Sequence, residues 1–350
     1  MWYRALKNRI LGLFLCVILV ASLTACGGDS EYITKAMECI KAVDYRGALT
    51  QLEHAEENGE NIRLINRARG IAYMGMVDYA TAILFFEQAI ADSNGLVQDV
   101  DFDLNYYLAA AYTKNSQYDR AEEIYNSILA LRNDEDAYFL RGNVRMVLGD
   151  YSGAMDDFDK AVEMSPTDYD RLIEIYEVLT FFGHGEVGKD YLRVALSNGG
   201  KQMDKFMTGK IYYYLGEYQN AYIALEEARA EEIPESYLYL GKAYEATGDY
   251  NYAVNVYNSY LNKYEGSAEM YNQLGLCEMT RGEYEKALEA FQAGIQLPDN
   301  ALLQTLSFNE VVAYEYLGEY EQAFELLKIY LKKYPDDEQA KREYDFLSTR

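Results

Sequence analysis

Tyr271-Asn272-Gln273-Leu274-Gly275, running on to Gly282-Glu283-Tyr284-Glu285-Lys286-Ala287 and Phe291, is the stretch that decides the fold. It reads as two helices joined by a turn. Gly282 ends the first helix, because a residue without Cβ takes the left-handed conformation at a helix C-terminus at little steric cost. Glu283 suits the positive start of the next helix. Gly275 and Ala287 are small where one helix faces the other, while Tyr284 and Phe291, seven apart, set two large rings on one side of the second helix. Such a hairpin buries one face but cannot close a core alone, so it must stack on neighbours.

With Ala287 as the marker, the pattern recurs at Ala48, Ala82, Ala121, Ala154, Gly188, Ala221, Ala253 and Ala323, at intervals of 34, 39, 33, 34, 33, 32, 34 and 36 residues along the series. A tyrosine stands three residues before the marker at Tyr45, Tyr79, Tyr118, Tyr151, Tyr218, Tyr250, Tyr284 and Tyr320, with Gly185 the exception. The turn glycine recurs as Gly149, Gly183, Gly216, Gly248, Gly282 and Gly318. This periodicity resembles the tetratricopeptide repeat, a helix-turn-helix unit of about 34 residues. The resemblance implies an all-α, right-handed superhelical solenoid of about nine repeats across residues 31–335. Residues 336–350 read as its capping helix, with Ala340, Tyr344 and Leu347 on the apolar side and Glu338, Lys341 and Arg342 on the other.

A repeat array of 350 residues is one elongated body rather than two globular domains. The formal net charge is −25, and the first 25 residues contribute Arg4, Lys7 and Arg9 without an acid, leaving −28 for the rest. Nucleic acid is excluded as a partner because the basic stripe that phosphate binding needs is missing. Acidic surface keeps a long solenoid in solution and steers basic partners. Cys39 and Cys277 fall in the first and eighth repeats, too far apart to pair.

Residues 1–25 combine a basic start, an apolar run at 10–20 and small residues, which is the pattern of a secretory signal. Leu23-Thr24-Ala25-Cys26 resembles a bacterial lipobox, which implies cleavage before Cys26, lipidation of its sulfur, and a short tether at 26–30. The other reading is an uncleaved anchor, although the run is short of the ~20 residues that span a bilayer. Both leave the repeats outside the cytoplasmic membrane, since basic residues before an apolar run stay inside. Ser30 or Asp29 is the expected N-cap of the first helix.

The long interval of 39 is absorbed by Asp92-Ser93-Asn94-Gly95, a turn-rich loop. All four prolines, Pro166, Pro234, Pro298 and Pro335, fall at repeat ends, where helices stop. The fifth repeat carries Gly183-His184-Gly185 and Gly188 in place of its tyrosine and alanine, and Gly199-Gly200 after them. Two readings stay open there, a hinge and a tolerated irregular repeat.

No catalytic, metal or cofactor site is expected. His54 and His184 lie in different repeats without ligand partners at the needed spacing. Asp99-Val100-Asp101-Phe102-Asp103 alternates acids as a calcium loop does. The glycine at its sixth place is missing and Ala110 stands where the closing glutamate belongs, so the acids read as the start of a helix. Most tyrosines belong to repeat cores.

In the tetratricopeptide family the first helix of each repeat lines a concave groove, with residues ten, six, three and two before the turn pointing into it. Carried onto this chain, the tenth-before set is Ile33, Arg67, Tyr106, Phe139, Ile173, Phe206, Leu238, Asn272 and Phe308, joined by Tyr213, Tyr214, Met279 and Tyr316. Phe206, Lys210 and Tyr213 share one helix face at i, i+4, i+7. The protein-binding candidates are therefore Tyr106, Phe139, Phe206, Lys210, Tyr213, Tyr214, Leu238, Lys242, Phe308 and Tyr316. The competing reading is that these rings pack between repeats. Some relatives clamp a partner's C-terminal carboxylate with lysines and asparagines in successive repeats, a pattern not reproduced here. Ile33, Met37, Ile71 and Tyr106 fill the early groove, which favours an apolar or aromatic anchor on the partner.

The function expected is a lipid-anchored protein-binding scaffold or accessory subunit at the bacterial cell envelope. The alternative is a module binding envelope glycan or another extracellular ligand, and an enzyme of cell-wall turnover is disfavoured.

Overall fold

The computed structural model describes residues 30–350 apart from 94, 201 and 299; the leader, Cys26 and most of the tether lie outside that range. The described residues form nineteen helices and no strand. Nine hairpins follow in order: α1 Glu31–Lys41 with α2 Tyr45–Glu57; α3 Ile62–Gly75 with α4 Tyr79–Ala91; α5 Asp99–Lys114 with α6 Tyr118–Leu131. Next come α7 Glu135–Leu148 with α8 Tyr151–Met164, α9 Tyr169–Phe181 with α10 Gly185–Gly199, and α11 Lys205–Leu215 with α12 Tyr218–Ala230. The last are α13 Glu235–Ala246 with α14 Tyr250–Lys263, α15 Ala268–Arg281 with α16 Tyr284–Ile295, and α17 Leu303–Leu317 with α18 Tyr320–Lys333, followed by α19 Glu338–Leu347. No described helix is long and apolar enough to cross a membrane. The described residues divide into two compact units, one ending at Tyr191 and the other Leu192–Arg350, the boundary falling inside α10 of the irregular fifth repeat.

Each second helix begins at the repeated tyrosine, and at Gly185 in the fifth repeat. An acid before it starts the helix: Asp44, Asp78 and Asp150 accept from the backbone N–H groups of Gly47, Thr81 and Gly153. Glu217, Glu283 and Glu319 hold the same place without a side-chain cap bond and act through charge alone. The preceding turn is left-handed in every repeat. Gly149, Gly216, Gly282 and Gly318 supply it at φ near +80°, but the first three repeats use Val43, Val77 and Ser116 at φ 61, 64 and 60°. Local backbone bonds, from the Asp44 N–H to the Cys39 carbonyl and from the Asp78 N–H to the Tyr73 carbonyl, close these turns over two β-branched residues where glycine is the natural choice.

All eight marker alanines are fully buried. The residue twelve before the marker and the one four after it meet across the hairpin. A Cβ added to Gly70, Gly142, Gly241 or Gly275 would stand 2.3 to 2.6 Å from a ring carbon of Phe86, Phe158, Tyr257 or Phe291 respectively. The fifth repeat departs from this arrangement. Tyr176 takes the small-residue position on α9, and a Cβ at Gly188 of α10 would lie 3.1 Å from the Tyr176 Cα and 3.2 Å from its carbonyl oxygen. Gly188 thus has a packing reason, since the two backbones approach where alanine would intrude.

The first helix is started differently from the expectation. Ser30 stands at the N-cap without a side-chain bond. Glu60, from the loop after α2, instead accepts from the N–H groups of Tyr32 and Ile33 at 2.9 and 3.0 Å. At the other end, Asp337 accepts from Gln339 and Ala340 N–H groups and from the Tyr330 hydroxyl, starting α19. Ala340 and Leu347 are buried against Val311, Ala323 and Leu327, and Tyr344 rests on Phe324. The capping helix covers the last hairpin with the face its sequence set out.

Candidate functional site

In the first unit the expected groove positions are taken up by ties between repeats. Arg63 and Arg67, one turn apart on α3, pair with Asp101 and Asp103 of α5. Asp101 also accepts from the Gln98 N–H at 2.8 Å, so the alternating acids start a helix and fasten it to the previous repeat. The Arg67 guanidinium lies 5.4 Å from the Tyr107 ring centroid. Tyr106 donates its hydroxyl to Asp134, which also accepts from the Ala137 N–H at the start of α7. Burial and that carboxylate push the Tyr106 phenol well above its ordinary range. Phe139 is buried beneath the Arg171 guanidinium at 4.1 Å, and Arg171 is held by Asp136 and Glu174. Ile33 and Ile173 are buried as well. Phe139 therefore presents no face to a partner, a correction to its place among the candidates; a ring under a paired arginine is a repeat-to-repeat joint.

The second unit is built otherwise. On α11, Phe206, Tyr213 and Tyr214 remain half-buried, and Tyr239 of α13 rises among them. Its centroid is 5.7 Å from Phe206, 5.6 Å from Tyr213 and 6.0 Å from Tyr214, with interplanar angles of 66, 74 and 63°. These edge-to-face contacts satisfy the ring quadrupoles and fix the group without closing it over. The Tyr214 and Tyr239 hydroxyls are 3.4 Å apart. Lys210 Nζ lies 5.8 Å and Lys242 Nζ 5.7 Å from the Tyr239 centroid, so two ammonium groups from successive repeats address one ring. Glu269 of α15 takes Lys242 at 3.1 Å and extends the polar margin to a third repeat.

Five of the expected residues, Phe206, Lys210, Tyr213, Tyr214 and Lys242, are thus gathered around Tyr239, which the position rule did not select. The rule named its neighbour Leu238, which, like Tyr239, is half-buried and packs against the core cluster of this unit. The sequence held a signal: Tyr239 and Lys242 are three apart on one face, the spacing at which a ring and an ammonium meet. The remaining candidates lie elsewhere. Phe308 rests against Tyr330 at 5.7 Å, Asn272 is buried and accepts from the Asn309 amide, and Tyr316 is 60 % exposed beside Tyr284.

A second aromatic group has a different form. Tyr222, Tyr244 and Tyr252 are stacked nearly parallel, at 4.5 and 5.3 Å. Their faces cover one another, and Tyr252, 61 % exposed, is the most open of the three. Cys277 is buried beside Glu245, which accepts from Tyr257; burial and that carboxylate push its thiol up, away from the reactive thiolate. Among the described residues no group of three or more His, Cys, Asp or Glu is placed to hold a metal ion.

Tetratricopeptide-repeat family models match residues 73–141, 135–168, 206–268, 240–301 and 308–337, which together take in more than half of the chain. The BBSome complex member BBS4 of Bos taurus is 22 % identical over 263 residues, 70 % of this chain; the chain spans 44 % of that relative's length. A tetratricopeptide repeat protein from Parabacteroides merdae is similar at 16 % identity and a TM-score of 0.47, over 81 % of this chain and 97 % of that one. MamA from Desulfovibrio magneticus is similar at 19 % identity and a TM-score of 0.41, over 51 % and 99 %.

Proposed function

We propose that this chain, which belongs to the tetratricopeptide-repeat proteins, is a lipid-anchored scaffold outside the cytoplasmic membrane of a bacterium, holding a protein partner on the first-helix face of its second unit. The observation that carries the binding half is the ring group at Tyr239. Four half-buried aromatic side chains from two repeats are held edge to face, with two ammonium groups at their margin. Such a group is rigid before binding, so an apolar or aromatic side chain of the partner is taken up with little ordering cost. The partner segment lies along the first helices as a helix or an extended strand of chain.

The anchoring half rests on the order of residues at 1–26, where the basic start, apolar run and Leu23-Thr24-Ala25-Cys26 follow one another. Two acyl chains on Cys26 hold a protein stably at a bilayer where one does not. Two measurements test the two halves separately. A photo-cross-linker at Tyr213 or Phe206, used in the native host, is expected to capture an envelope protein, and a Tyr239→Ala background is expected to reduce the capture. Finding none at either position would remove the scaffold role. Labelled palmitate is expected on the native chain and not on Cys26→Ser; label retained by that variant would remove the anchor.

A further inference from the structure

A second surface of the same unit, remote in sequence from Tyr239, has its own chemistry. Tyr320 opens α18 and Phe346 lies on the capping helix α19, where it is 43 % exposed, off the apolar stripe that covers the last hairpin. Tyr320 is 36 % exposed. The two rings come from different helices and address one group: the Arg350 guanidinium, 4.5 Å from the Phe346 centroid and 5.2 Å from that of Tyr320. A turn presents Arg350, whose N–H donates to the Leu347 carbonyl at 3.1 Å.

Each ring is followed back along the chain by an acid. Glu319 precedes Tyr320 and Asp345 precedes Phe346, and both acids are exposed. In a chain of net charge −25 this exposed ring pair, already stacked against one guanidinium, complements a cation with a flat apolar face. A guanidinium has that form. It is planar, weakly hydrated and stacks on rings, whereas an ammonium is a compact, strongly hydrated charge.

We propose that the Tyr320–Phe346 ring pair is a seat for an arginine side chain of a basic partner segment, with Arg350 its internal occupant. The partner's guanidinium displaces that of Arg350 and stacks on the same rings, and the acidic chain attracts the rest of the basic segment. This surface does not depend on the Tyr239 group or on the lipid, and it binds whether or not those readings hold.

The test is fluorescence anisotropy of a labelled peptide with spaced arginines, and of its lysine counterpart, against the full chain and four variants. R350A is expected to bind the arginine peptide about threefold or more tighter than the native chain, the scale of one cation–ring contact freed from competition. The lysine peptide is expected to gain much less. R350A/F346L, which keeps apolar volume but loses a ring, is expected to return to the native affinity, and F346L alone to fall below it. K332A removes one positive charge from α18 away from the rings and measures the general effect of charge. The proposal is overturned if R350A gains no more than K332A, if the gain survives in R350A/F346L, or if both peptides gain equally. Far-UV circular dichroism equal to native confirms that α19 remains formed in each variant used.

Discussion

Gly275→Ala is the substitution that most directly examines how the hairpins close. An added Cβ would stand 2.3, 2.6 and 2.7 Å from the Cε1, Cδ1 and Cζ atoms of Phe291, a ring with no exposed surface. On an open helix face the change would gain ~1 kcal/mol from helix propensity. Here the ring must be driven out of its place, and overpacking of this kind costs ~1–3 kcal/mol. Three ring atoms inside 3 Å put the cost toward the upper end, so a net loss of about 2 kcal/mol is expected. The first repeat indicates the remedy, because Ala36 and Leu52 occupy the same two positions and both are fully buried. Phe291→Leu alone should cost about 1 kcal/mol, and the double variant should lose less than the two single losses added, by ~1 kcal/mol or more. Urea unfolding followed by circular dichroism gives the totals. Native-state hydrogen exchange in α15 and α16 gives the local value, which matters because repeat arrays need not unfold all at once. A Gly275→Ala chain as stable as native, or strictly additive losses, would refute the close approach as the reason for glycine.

Three further outcomes follow from other joints. Val77 is 67 % exposed at φ 64°, so Val77→Gly gives up little burial and relieves a β-branched left-handed residue; a gain of about 0.5–1 kcal/mol is expected in a thermal melt, and a loss would count against strain at that turn. Glu60→Ala removes the acceptor for the Tyr32 and Ile33 N–H groups and should cost ~1 kcal/mol, read as faster hydrogen exchange confined to α1. Burial, and then Glu343 of α19, push the Glu315 carboxyl from its ordinary 4.5 up to about 7. The folded chain holds that proton more tightly, so this contribution to stability is present below 4.5 and is lost as pH rises through about 7; Glu315→Gln should flatten the melting temperature across that window, and an unchanged slope would exclude the pair as its source.

The hairpins were legible because two positions leave no freedom. A marker alanine with no exposed surface recurs in eight hairpins and a glycine under a ring in four of them, and close packing permits few substitutes. The turns were legible only in part. Six carry glycine, but Val43, Val77 and Ser116 take the same left-handed conformation with no residue-level sign of it, since the backbone bonds that close the turn form at these residues as they do at glycine. The cap of α1 was hidden for a related reason. Glu60 lies 28 and 27 residues from the groups it satisfies, and a motif defined over four residues does not see it. The fifth repeat read as degraded, yet Gly188 stands where the Tyr176 backbone comes close, a fit visible only once both helices are placed.

The binding face was harder to read, for a reason that separates the two units. Between residues 30 and 191 the first-helix positions that a family rule points into the groove are met by charged partners from the adjoining repeat: Asp103 on Arg67, Asp134 on Tyr106, Arg171 over Phe139. A position rule gives the direction of a side chain, and a paired arginine 4.1 Å away then decides whether solvent or a partner ever reaches it. Beyond residue 192 the same helices bring rings instead, and the ring at their centre, Tyr239, stands one residue after the Leu238 that the rule named. One residue is about 100° of helix rotation, so the two neighbours leave α13 in different directions. Both are half-buried against the same apolar cluster; Tyr239, with a polar tip, is the one that Phe206, Tyr213 and Lys242 meet. Groove residues in such arrays are therefore better inferred from pairs one repeat apart than from position alone, because the partner across the repeat joint determines whether a side chain is a tie or a contact.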